Sequence, residues 1–305
     1  MGPAWDTDPL IVCAGYRTWT ENGRSMPNLM WTWQQAAVIG AVAAAVFGVL
    51  RLRDVLPRVR PFLREAALII WLYGLWQLVG SLNGEGDYRA VTRGRWIWDT
   101  ERSAHLPSEH TLQGWVLPHP LVVQAANLYY ASMHFTVLII FLVWLFARHR
   151  AQYGRWRTVL ALLTASCLLI QFLPVAPPRM IPGIGMADTA MQYGQSVYGQ
   201  IGGFQPDELS AMPSVHVGWA VLVAVAVCAV TRSRWRYLAV LHAALTVFVV
   251  VATGNHFWSD GIVACALLLL AVPAERSGRR LWQAATRRKG LANSGSATPS
   301  LVDAA

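Results

Sequence analysis

The chain has 305 residues, 55% of them apolar and only 13% charged, with 15 tryptophans and a formal net charge of +9. A soluble domain carries about one-quarter charged residues, so a solvated globular enzyme is excluded as the default and a bilayer-embedded chain is expected. The basic excess is distributed by position along the chain, which points to membrane topology and anionic inner-leaflet lipid and not to nucleic acid.

The first 29 residues are polar and lack the apolar core of a secretory leader, so no signal peptide is expected. A spanning helix needs about 20 mostly apolar residues. Seven segments meet or approach that length: 30–50, 66–82, 128–147, 158–176, 214–231, 235–252 and 258–273, the last being the shortest. Loops 51–65, 148–157 and 232–236 and the tail from 274 hold 18 of the 25 basic residues, whereas the other side holds 12 of the 16 acids. The alternation predicts an all-α polytopic bundle of about seven transmembrane helices, N-terminus out and C-terminus in, in the cell membrane.

Three regions follow: residues 1–127, N-terminal spans with a Trp-rich outer segment; 128–273, a catalytic helix bundle; and 274–305, a basic, disordered cytoplasmic tail. Outer segment 83–127 is too long for bare coil at a membrane surface, and its tryptophans suit the water–lipid boundary, so short interfacial helices are expected there. Pro174, Pro177 and Pro178 end the fourth span. Cys167, Cys228 and Cys265 fall inside spans and Cys13 stands alone outside, so no disulfide is expected.

Two stretches carry the chemistry. Ser210-Ala211-Met212-Pro213-Ser214-Val215-His216 opens the fifth span, and Gly254-Asn255-His256-Phe257-Trp258-Ser259-Asp260 opens the seventh. With Arg179 just past the fourth span, three separate helix ends converge on the outer face. Two histidines and a carboxylate beside hydrocarbon are costly, which makes function the default reading. Arg179 offers a planar fork for phosphate oxygens, and Ser214 with the amides that open its helix forms an anion site. His256 and Asp260 are spaced i, i+4. In a helical turn the carboxylate would hold one imidazole nitrogen and leave the other free to attack phosphorus, with His216 placed to protonate the leaving oxygen.

Pro-Ser-x-His followed by His-x3-Asp, with Arg179 upstream, resembles the type 2 phosphatidic acid phosphatase superfamily and, within it, the inositolphosphorylceramide-synthase-like branch. The resemblance spans roughly residues 128–273. It implies that His256 is a nucleophile forming a phosphohistidine, that Asp260 orients it, that His216 is the acid, and that no cofactor is used. Two positions depart from the family pattern: Phe172 stands where a Lys is usual, and Val249-Val250 where Ser-Arg is usual. The loss of two cations favours the synthase-like branch. Tyr130 and His134 match a Tyr-x3-His of that branch and are candidate substrate contacts, with Arg102, beside Glu101, a lesser one.

The remaining histidines, His105, His110, His119 and His149, read as structural, and His242 as a helix-to-helix hydrogen bond. Two histidines and a carboxylate could also form a metal site. The nearby Arg179 and phosphate-suited helix start oppose a second cation, so no metal is expected. The expected activity is transfer of a phosphate-linked head group from a phospholipid or polyprenyl phosphate. Hydrolysis of a lipid phosphate or polyprenyl (pyro)phosphate is the alternative, and a non-enzymatic transporter is remote. Protein partners are not specified.

Overall fold

The computed structural model describes residues 33–82, 87–196 and 208–295. The first 29 residues, Cys13 and the stretch from 296 lie outside the described residues. Ten helices follow in order: α1 (Trp33–Leu52), α2 (Arg60–Leu82), α3 (Asp87–Ser103), α4 (Glu109–Val116), α5 (Pro120–Arg148), α6 (Arg150–Gln171), α7 (Thr189–Gln192), α8 (Val215–Val230), α9 (Arg236–Ala252) and α10 (Trp258–Gly295). A 3-10 turn covers Pro178–Met180, and the described residues hold no strand beyond one isolated bridge between Val175 and Ser210.

Among the described residues, three helices are long and apolar enough to cross a membrane: α1, α5 and the Trp258–Arg287 part of α10. Helices α8 and α9 are apolar but shorter. The apolar surface is turned outward. Val38, Val42, Val46 and Val49 form an exposed row on α1, and Ile139, Ile140 and Val143 do so on α5, the arrangement expected where hydrocarbon replaces water.

The core lies among α5, α6, α8 and α10, where Phe141, Leu145, Trp156, Leu163, Leu222 and Leu268 interlock. Gly261 lets α10 close on α8: a Cβ there would lie 3.4 Å from Val217. Helix α9 packs on α8 and α5, and Tyr129 on α5 joins His242 on α9 at 2.6 Å, an interhelical hydrogen bond of the kind expected for that histidine. Helices α1 and α2 form a hairpin fastened to α6 where Glu65 pairs with Arg157.

The outer segment 83–127 contains two helices among its described residues. Helix α3 lies against the loop after α6, which approaches so closely that a Cβ on Gly94 would be 2.6 Å from the Ala176 carbonyl. Arg93 donates to Pro174 O at 2.8 Å and the Ala176 amide to Ala90 O at 3.1 Å.

The last helix departs from expectation. The shortest expected span belongs to the longest helix, and the segment from 274, expected as a disordered tail, continues it to Gly295. Ala, Arg, Leu and Gln dominate residues 274–292, and these are strong helix formers, so the absence of an apolar stripe does not stop the helix.

Candidate active site

The cluster is built at the starts of α8 and α10. Ser214 is the N-cap of α8: its hydroxyl accepts from the Val217 amide, and its side chain is fully buried. Met212-Pro213 is a cis peptide. Asp260 sits in the first turn of α10, and its Oδ2 accepts from the amide of Phe257, the residue before the helix, at 2.8 Å. The same oxygen lies 3.2 Å from His256 Nδ1. The pair therefore meets although His256 precedes the helix, because the carboxylate reaches back over the helix start as in a capping box.

His256 Nδ1 also lies 2.8 Å from the Ala211 carbonyl. A carbonyl can only accept, so Nδ1 carries the hydrogen and the neutral ring presents a bare Nε2. That atom is 3.4 Å from His216 Nδ1, which is left as the donor. His256 is 4% exposed and Asp260 fully buried, and Asp260 Oδ1 has no hydrogen-bond partner among the described residues. Tyr130 stacks on His216 with ring centroids 4.5 Å apart, and His134 meets it edge-on at 4.3 Å. Five of the eight residues singled out from sequence, Tyr130, His134, His216, His256 and Asp260, thus share one cluster.

Backbone hydrogen bonds join the segments that carry them. The Ser214 amide donates to Asp260 O at 3.1 Å, and the Arg179 amide to Gly254 O at 3.1 Å. Gly254 has φ +69°, and a Cβ there would lie 3.1 Å from Arg179 Cβ, so only glycine fits without displacement. The Arg179 side chain is 2% exposed. Its Nε donates to Asp188 Oδ2 at 3.1 Å, Nη1 to Asn255 Oδ1, and Nη2 to Glu208 Oε1 at 3.4 Å. The fork expected for phosphate is thus turned to two carboxylates and an amide, one residue from His256.

At the positions of the missing family cations, Phe172 is exposed and Val250 is buried. The Val250 carbonyl accepts from the amides of both Asn255 and His256 at 3.1 Å, holding the turn through its backbone.

Some of the site was not read from sequence. Glu101, 2% exposed, accepts from the Ser259 amide at 2.6 Å, so a carboxylate from α3 caps the helix that carries Asp260. Among the described residues, Arg102 meets carboxylates and a ring and not the imidazoles. Its guanidinium pairs with Glu109 at 3.1 Å and Glu101 at 3.5 Å and lies over Trp98. Burial, then the neighbouring Glu101, pushes the Glu109 carboxyl up to about 8. Nothing local marks these residues: Glu101 and Ser259 are far apart in sequence, and only Arg102 beside Glu101 hinted at the network.

A family model described as PAP2 superfamily matches residues 95–274. The chain belongs to the PAP2 superfamily. The match begins within α3, upstream of the roughly 128–273 over which the motifs resemble the family, and so takes in Glu101, Arg102 and Glu109 along with both histidines. No curated protein and no solved structure matches the chain. With its apolar helices, PAP2 membership makes this a membrane protein with the lipid phosphatase or phosphotransferase type of activity.

Proposed function

We propose that the protein is a membrane-embedded lipid phosphotransferase of the inositolphosphorylceramide-synthase-like kind, working through a phosphohistidine on His256. One observation carries the reading: Nδ1 of His256 is held by Ala211 O and Asp260, which aims a bare Nε2 at the cluster interior. Nε2 attacks phosphorus of the lipid donor, an N–P bond forms, and the P–O bond to the leaving alcohol breaks. The leaving oxygen takes a proton from His216. The acceptor alcohol then gives its proton to His216 as its oxygen attacks phosphorus; the O–P bond forms, the N–P bond breaks, and Nε2 is released.

Two imidazoles in mutual contact at 3.4 Å leave no room for phosphorus between them, so substrate binding separates the rings and frees the Nδ1 hydrogen of His216. Asp260 favours the charge that His256 acquires. The amides that open α8 and the guanidinium of Arg179 are the anion-binding groups, with Arg179 exchanging a carboxylate partner for phosphate oxygen. Tyr130 and His134 shape the substrate wall. Transfer is preferred to hydrolysis because Tyr130 and His134, packed against His216, bring extra polar groups beside the nucleophile where an acceptor alcohol can be held.

The seven-span arrangement, N-out and C-in in the cell membrane with the chemistry outside, belongs to the same proposal and is supported by the alternation of arginine-rich loops. The test is mass spectrometry of products after incubating purified protein with labelled phosphatidic acid, phosphatidylinositol or polyprenyl phosphates. A new phospholipid supports transfer; inorganic phosphate as the sole product would replace it with the phosphatase reading.

A further inference from the structure

The end of the bundle away from the histidines carries a basic cavity. A cavity of about 490 Å³ lies between the start of α6 and the distal part of α10, lined by Arg155, Arg276, Arg279, Arg280 and Gln283. Residues 276, 279, 280 and 283 follow i, i+3, i+4, i+7 spacing, so α10 presents them as one stripe. At 1.5 Å per residue, Arg276 is about 24 Å along α10 from Asp260, too far to share a ligand with the imidazoles.

Among the described residues, the charge in this cavity is not balanced. Four guanidinium groups face one carboxylate, Glu275, which Arg279 approaches at 3.4 Å and Arg155 at 3.8 Å. Arg155 Nε is buried without a hydrogen-bond partner. Among the described residues, Arg276 and Arg280 have no hydrogen-bond acceptor. Orientation signals need only a basic loop; here four arginines line one open groove.

Position identifies the kind of ligand. Arg276 follows Pro273, the end of the apolar run that begins at Trp258, by three residues, so the basic stripe begins where a helix long and apolar enough to cross a membrane leaves its apolar part. At such a boundary anionic head groups are the abundant phosphate bearers. We propose that this cavity binds the phosphate of an anionic membrane lipid. The site is independent of the histidine chemistry.

The probe is phosphatidylglycerol, titrated onto the purified full chain in neutral detergent and counted by native mass spectrometry. Phosphatidylcholine is the zwitterionic control, and glycerol 1-phosphate is the soluble head group. Arg276→Gln/Arg280→Gln is expected to weaken phosphatidylglycerol binding about thirtyfold, since each surface Arg contributes about a factor of five. Arg232→Gln/Arg234→Gln removes the same charge elsewhere and is expected to leave binding unchanged. Gln283→Glu, which adds a carboxylate to the cavity, is expected to weaken binding and serves if the double variant fails to fold. Equal losses in the two Arg pairs, no loss in Gln283→Glu, or phosphatidylcholine bound as well as phosphatidylglycerol would overturn the site. Glycerol 1-phosphate bound as tightly as the lipid would overturn the lipid assignment.

Discussion

The amide of Ser214 donates to the backbone carbonyl of Asp260, so the helix start that would bind phosphate and the carboxylate that holds His256 are parts of one backbone arrangement. Disturbing either side chain can therefore be separated from disturbing the frame.

His256→Ala is expected to abolish both turnover and phosphoenzyme labelling, whereas His216→Ala lowers the rate by about 10² to 10⁴ and still forms the phosphoenzyme from a donor with a good leaving group. Radiolabel transfer to the protein, followed by its acid lability, checks both. An acid-labile phosphoenzyme in His256→Ala would overturn the nucleophile assignment.

Asp260→Asn separates capping from charge. The amide oxygen can still accept from the Phe257 amide, so thermal stability should fall by no more than about 1 kcal/mol. Activity should fall far more, because a neutral amide no longer stabilises the charge on His256. Melting temperature and initial rate measured on one preparation decide the point; parallel losses would make Asp260 a structural residue only.

Glu109 predicts a pH signature of stability. Its carboxyl is raised to about 8 in the fold against about 4.5 in the unfolded chain, so the folded state binds the extra proton between these values. Stability from this group is full below about 4.5 and is lost as pH rises through about 8, by at most about 1.4 kcal/mol per pH unit. Glu109→Gln should flatten that slope and stabilise the protein at pH 8. Melting curves from pH 5 to 8.5 measure it, and an unchanged slope in the variant refutes the assignment.

Arg179→Lys should lose most of the activity, since an ammonium cannot serve Asp188, Asn255, Glu208 and an incoming phosphate from three fixed directions. Vanadate should inhibit the wild-type enzyme and EDTA should not. An enzyme that dies in EDTA and recovers with a divalent ion would restore the metal reading.

Sidedness can be read with thiol reagents in a background without native cysteines. Met191→Cys should react with an impermeant reagent added outside intact cells, and Gln152→Cys should not. The reverse pattern would place the chemistry in the cytoplasm.

The helix ends and the motif cluster were legible because each is written locally. Apolar runs stop at Pro174 or at arginine loops, and Pro-Ser-x-His and His-x3-Asp each fit within one turn. The expectation that His256 and Asp260 share a helical face gave the right contact by a different route, since capping does not require His256 to be helical. What was not legible is tertiary. Nothing near Arg179 says that Asp188 and Glu208 turn back to meet it, nor does anything near Ser259 call for Glu101 from α3. The helical run beyond Pro273 was obscured because apolar content is a poor guide to helix length in an Ala- and Arg-rich segment.

The tie between the Arg179 amide and Gly254 O, like that between Ser214 and Asp260, uses no side-chain atom of the reacting groups. The relative positions of the proposed nucleophile, acid and anion seat are thereby inherited from the main chain, while the rings that pack on His216 come from α5. Under the proposed function, changes at Tyr130 and His134 redirect which alcohol or lipid is accepted without relocating the chemistry, so relatives built on this scaffold diverge in substrate faster than in reaction.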